Sequence, residues 1–188
     1  MTDLSLTTRP GLPEALTVLL ADYPRDGWTF HNNFDGLVAF WLDRHLNFRT
    51  LTARMMAEAQ AVLDGRMDPE RHAASLSRMG NRFLTELHGH HQIEDQHFFP
   101  RLTRLERRLE RGFQMLETDH HAIDGLLHRF TTAANAVLTG WQGPTHATAT
   151  GAFLTDLQGI GTLLDRHLTD EEDLIVPTIL HHGPGAVE

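Results

Sequence analysis

Four long apolar stripes run through this chain at helical spacing, and imidazoles or carboxylates interrupt each of them. Stripes of this kind commit the chain to helices packed face to face, with residues four, three, four and three apart meeting in one core. The first runs over about residues 32–64 as Phe34, Val38, Trp41, His45, Phe48, Thr52, Met55, Ala59 and Val62. The second, over about 68–99, reads Leu76, Gly80, Phe83, Leu87, His90, Glu94 and His97. The third, over about 112–138, reads Phe113, Leu116, His120, Ile123, Leu127, Phe130, Ala134 and Val137. The fourth, over about 145–175, reads Phe153, Leu157, Ile160, Leu164, His167, Glu171 and Leu174. These patterns predict an all-α protein, an up-down-up-down antiparallel four-helix bundle joined by short connections.

One spelling occurs twice. His90 to Pro100 and His167 to Pro177 both read His, three residues, Glu, an acid, four residues, Pro. On a helix, i and i+4 share a face, so each copy sets an imidazole beside a carboxylate. The repetition predicts two helical hairpins that build one site from two sides. Each proline reads as a helix stop. The second helix has a clear start at Asp68-Pro69-Glu70, an N-cap followed by Pro at N1 and an acid in the first turn. Residues 1–30 read as an irregular extension with a short helix, 31–180 as the bundle, and 181–188 as a frayed tail. The charged stretch 101–111 reads as the connection and a solvated first turn.

Composition narrows the function. The formal net charge of −9 argues against nucleic acid and anionic membrane surfaces as partners. There is no cysteine, which excludes disulfides, thiolate metal sites and cysteine nucleophiles. Neither a secretory signal nor a membrane span is visible, so a cytoplasmic protein is expected.

The polar residues inside the stripes carry the chemistry. A lone histidine in a stripe is ordinarily a hydrogen-bonded core residue, and a lone His-x3-Glu is ordinarily a surface pair. Here His45, His90, Glu94, His120, His167 and Glu171 converge, and the stripes hold no Lys or Arg to pair with the carboxylates. Buried carboxylates need a partner, and a metal ion satisfies carboxylates and imidazoles together. Nitrogen and oxygen donors without thiolate suit iron, manganese or zinc. His91, His121 and Asp95 fall off the stripe and are expected at the surface or behind the ligands. His31, His72, His128, His146, His181 and His182 read as ordinary histidines outside the site.

The order His45, His90-x3-Glu94, Asp119-His120, His167-x3-Glu171 resembles the hemerythrin-like family of HHE cation-binding domains over roughly residues 30–180. The resemblance implies a four-helix bundle around a non-haem centre of two iron ions, oxo- or hydroxo-bridged, with Glu94 and Glu171 as bridging carboxylates. It implies a protein that binds dioxygen reversibly or senses oxygen, nitric oxide, iron or redox state. A module that binds or senses dioxygen, nitric oxide or peroxide is expected ahead of an enzyme, with any signal passing to a separate protein partner. Two departures from the oxygen carriers stand out. The third helix offers His120-x3-Asp124 where carriers have a second histidine, so Asp124 is a candidate ligand. The carrier spacing on the fourth helix selects Glu172, whereas the internal repeat selects Glu171. A second reading is a di-metal oxidase, peroxidase or iron-handling protein of ferritin-like chemistry, with Glu94-x2-His97 and Glu117-x2-His120 as its Glu-x2-His pairs.

Overall fold

The computed structural model describes residues 4–34 and 36–187. The described residues form six α-helices and no strand: α1 Val18–Asp22, α2 Gly36–Leu63, α3 Pro69–Ile93, α4 Phe99–Leu105, α5 Glu110–Gly140 and α6 His146–His182. No helix among them is long and apolar enough to cross a membrane. The local signals for helix ends act where they should. Asp68 Oδ1 accepts the Arg71 N–H at 3.0 Å and caps α3. Gly65 takes a left-handed φ of 69° just past α2, and the Arg66 N–H returns to the Ala61 carbonyl at 2.8 Å.

Neither proline ends its helix. After α3 the chain winds through a π-helical turn, Glu94–Phe98, and continues as α4 to Leu105. The Phe99 N–H bonds to the Glu94 carbonyl, five residues back. A proline ring clashes with the carbonyl four residues back in a regular helix. Pro100 follows directly on the widened turn, so the helix passes it. The extra residue also rotates the face that follows. His97, expected in the core, is exposed, while Phe99 and Leu102 are buried. Thus part of the charged 101–111 stretch is helical rather than a loop.

Pro177 lies inside α6, which runs on to His182 rather than stopping near Ile175. The cost of an interior proline is about 3 kcal/mol. Leu174, Ile175, Val176, Ile179 and Leu180 are all buried, and each contributes roughly 1.5–3 kcal/mol when fully buried. Packing outweighs the proline. Beyond the helix, Gly183 takes φ 85° as its C-terminal cap. Val187 is buried, and its carbonyl accepts from Arg101 Nη1 at 2.8 Å, so the tail expected to fray packs against α4 as far as Val187.

The chain divides into two compact units, and the long helices contribute segments to both. The first comprises Met1–Leu46, His90–His121 and Asp165–Glu188. Its apolar core gathers Leu16, Leu19 and Trp28 from the N-terminal segment with Trp41, Phe99, Phe113 and Leu174. The second comprises Asn47–Gly89 and Ala122–Leu164. Its core is aromatic: Phe48 meets Phe83 edge-on at 6.4 Å, Phe83 meets Phe130 at 5.6 Å, and Phe130 meets Phe153 at 5.7 Å.

Within the first unit, α5 and α6 approach closely at Gly112. A Cβ there would stand 2.8 Å from both methyls of Leu174, which is fully buried. Gly112→Ala is therefore expected to destabilise the protein by about 1–3 kcal/mol through overpacking. Urea denaturation checks this, and unchanged stability would mean that Leu174 repacks freely.

Candidate metal centre

The first unit carries the polar interruptions of the stripes. α2 supplies His45, α3 supplies His90 and His91, and the π turn supplies Glu94 and Asp95. α5 supplies Asp119 and His120, and α6 supplies His167, Asp170, Glu171 and Glu172. Two groups of donor atoms result. His45, His90, Glu94 and Glu171 form one, and His91, His120 and His167 form the other, with the atoms of each group within 4.8 Å of one another.

The carboxylates span both groups. Glu94 Oε1 lies 3.0 Å from His90 Nε2, and its Oε2 lies 3.6 Å from His120 Nε2. Glu171 Oε2 lies 3.6 Å from His45 Nε2 and 3.5 Å from His167 Nε2. Its Oε1 accepts from Trp41 Nε1 at 2.9 Å. Two donors at right angles on one ion, with bonds of about 2.1 Å, stand about 3.0 Å apart. The His45 and His90 Nε2 atoms are 3.1 Å apart.

The site fits a cation on its own chemistry. Of the twelve buried side-chain polar atoms without a hydrogen bond among the described residues, seven are here. They are both nitrogens of His91, both oxygens of Glu94, Nε2 of His120, Nε2 of His167 and Oε2 of Glu171. A native core seldom leaves so many polar atoms unpaired in one place. The protonation balance points the same way. Burial, with the charge of Glu171 beside it, pushes the Glu94 carboxyl well above the usual range. Burial would push Glu171 up too, but the neighbouring His45 outweighs it and holds Glu171 well below the usual carboxylate range. Burial lowers His90 to about 3, and it also lowers His91 and His167, the latter against the pull of Asp119 and Glu171. These three imidazoles are neutral, the form that ligates.

Carboxylates behind the imidazoles set their orientation. Glu172 Oε1 faces His45 Nδ1 at 3.0 Å, Asp95 Oδ1 faces His120 Nδ1 at 2.8 Å, and Asp119 Oδ2 faces His167 Nδ1 at 3.3 Å. A carboxylate accepts, so Nδ1 carries the proton and Nε2 turns inward with its lone pair free. His91 stacks on His120, ring centroids 3.9 Å apart and 10° from parallel.

The structure thus brings together His45, His90, Glu94, His120, His167 and Glu171, and adds His91. His91 was expected at the surface or behind the ligands because it lies one residue off the stripe, yet it is buried. Neighbouring residues on α3 straddle the inward face: His90 turns to His45 on α2, and His91 turns to His120 on α5 and His167 on α6. Asp124 is exposed and lines an open cleft with Leu84, Thr85 and His88, so it is no part of either group. Glu172 lies behind His45 rather than inside a group. His121, His97 and Glu117 are exposed, which leaves neither Glu-x2-His pair at the site. A third set, Glu106 with His181 and His182, lies in the same unit, but Arg108 holds both oxygens of that glutamate at 2.8 and 2.7 Å.

The profile of the hemerythrin HHE cation-binding domain matches residues 36–179. The chain belongs to this family. Neither a curated protein nor a solved structure matches it. This HHE domain is a cation-binding protein, and the His45, His90, Glu94 and Glu171 group and the His91, His120 and His167 group are places where a cation fits.

The sign of the pH dependence follows for the metal-free domain. His90, His91 and His167 have folded pKa values below the unfolded 6.5, so below pH 6.5 the unfolded chain binds protons that the folded chain refuses. Their contribution is present above 6.5 and is lost as pH falls toward 3. Glu94 and His45, both raised, work in the opposite direction, Glu94 above 4.5 and His45 near and above 6.5, so between pH 5 and 6.5 the three lowered imidazoles prevail. Each net proton is worth about 1.4 kcal/mol per pH unit. Chelator-treated protein is expected to be less stable to urea at pH 5 than at pH 6.5, and equal stability would show that the imidazoles are not held neutral.

Proposed function

We propose that this HHE domain holds two iron ions bridged by Glu94 and Glu171 and binds or senses a small diatomic or peroxide. The observation that carries the reading is the way each carboxylate reaches imidazoles of both groups. The ligand set is His45, His90, His91, His120 and His167 with the two glutamates. With both carboxylates shared, His45 and His90 serve one ion, and His91, His120 and His167 the other. The first is poorer by one imidazole and is where an outside ligand enters. Iron supplies a redox-active position that accepts dioxygen, nitric oxide or peroxide. Trp41 holds Glu171 by its indole N–H and lies edge-on to His90. Five imidazoles against two carboxylates favour ligand binding over ferritin-like oxidase chemistry, whose sites are carboxylate-rich.

The same reading takes the long helices α2, α3, α5 and α6 as an up-down-up-down bundle. The short connections at residues 64–68 and 141–145 support it. It also takes residues 31–180 as the functional domain, in the cytoplasm, acting through a separate protein partner.

Metal analysis of protein purified without a metal-affinity column, with its optical spectrum in air and under nitric oxide, tests the proposal. Two irons per chain and a spectrum that responds to the gas are expected; zinc alone, or loaded iron blind to both gases and to peroxide, would overturn it. His91→Ala is expected to lose metal from the His120 and His167 group. His121→Ala, at an exposed position, is expected to keep the wild-type content.

A further inference from the structure

Two arginines that precede the matched family residues reach into the site. Arg9 is buried, with its guanidinium spread over two acids. Its Nη1 donates to Asp119 Oδ1 at 2.8 Å, its Nη2 donates to Asp119 Oδ2, and its Nε donates to Asp170 Oδ2 at 2.7 Å. Nη1 also donates to the Leu4 carbonyl at 2.8 Å. Asp119 is the acid that faces Nδ1 of His167. Arg25 serves the other ligand group with a single bond to its acid. Its Nη1 donates to Glu172 Oε2 at 2.8 Å, and its Nε donates to Asp173 Oδ1 at 2.6 Å. Its Nη2 donates to the Thr169 carbonyl at 3.1 Å, and its guanidinium lies over the Trp28 ring. Glu172 is the acid that faces Nδ1 of His45.

Two relays therefore run from the N-terminal segment inward: Arg9 to Asp119 to His167, and Arg25 to Glu172 to His45. They end on different ligand groups. On Asp119 the guanidinium of Arg9 is a planar fork that fixes both the position and the plane of the carboxylate, which a point charge does not, while Arg25 pins one oxygen of Glu172. A carboxylate so fixed holds the imidazole plane, and the plane decides where Nε2 points. His120 is different: its acid, Asp95, comes from the π turn within the family region.

We propose that Arg9 and Arg25 are positioning residues of the metal centre, so that the segment before the family domain sets how firmly each ion is held, one arginine per ion. This rests on the two-ion reading above. It makes the N-terminal segment a strap whose release would loosen the two ions separately.

The full chain tests it with Arg25→Gln and Arg9→Lys. Arg25 is partly exposed, with 44% of its side chain accessible, so its loss leaves the fold intact. Arg9→Gln would strand two buried acids and endanger folding, whereas lysine keeps the charge and removes only the fork. Two measurements are made: ferrous iron release to a chelator, and the Nδ1–H exchange rates of His45, His120 and His167 in the zinc-loaded, diamagnetic protein. Arg25→Gln is expected to speed one release phase by about 10–100-fold and to raise exchange at His45 alone. Arg9→Lys is expected to speed the other phase by a smaller factor and to raise exchange at His167 alone. Wild-type release and exchange in both variants would overturn the inference, as would a uniform rise at all three histidines, which is general loosening. Wild-type protein that takes up neither iron nor zinc would overturn the two-ion reading as well, and so is told apart from failure of the relays alone.

Discussion

Two fully buried carboxylates, Glu94 and Glu171, stand among five imidazoles in donor groups that contain no cationic side chain. Ionised groups out of water cost several kcal/mol each unless something compensates them. The polar architecture of the first unit answers that cost. Nε2 atoms and carboxylate oxygens point inward to where a cation resolves them, and Nδ1 atoms point outward to acids that fix their tautomer. Behind two of those acids stand guanidinium groups, so charge alternates in layers from the centre outward.

This layering explains why an irregular N-terminal segment belongs to the core. Leu16, Leu19 and Trp28 pack with Leu174 to Leu180 of α6, and Arg9 and Arg25 pair with acids of α5 and α6. Apolar anchoring places the two arginines, and the arginines in turn allow acids to be buried beside the imidazoles. The apolar packing also carries α6 through Pro177, which keeps Leu174 and Ile179 in register with His167 and Glu171.

Much of this was legible in the sequence because helical periodicity is a local signal. The third and fourth stripes, from Phe113 to Val137 and from Phe153 to Leu174, are buried at every position, and His45, His120 and His167 are buried where the stripes put them. The misses on α3 share one cause, which is that a single period and a single inward direction were assumed. His91 escapes because α3 has neighbours on two sides of its inward face. His97 and the end of the second helix escape because a π turn changes the period after Glu94. Arg9 and Arg25 lie 110 and 147 residues from the acids they hold, and nothing in their local sequence announces it. Asp119 was visible as the neighbour of His120 but not as the acid behind His167.

The π turn at Glu94–Phe98 amounts to a single residue inserted into an otherwise continuous helix from Pro69 to Leu105. The rotation it introduces, about 100°, divides that helix into two stretches with independent faces. Upstream, the face carries Leu76, Phe83 and Leu87 and ends in donor atoms; downstream, it is chosen by apolar packing of Phe99 and Leu102. Sequence changes on one side therefore need not respect the spacing of the other. Any residue-by-residue comparison that carries a uniform heptad across Glu94 will be out of step by one position, placing His97 inside and Phe99 outside.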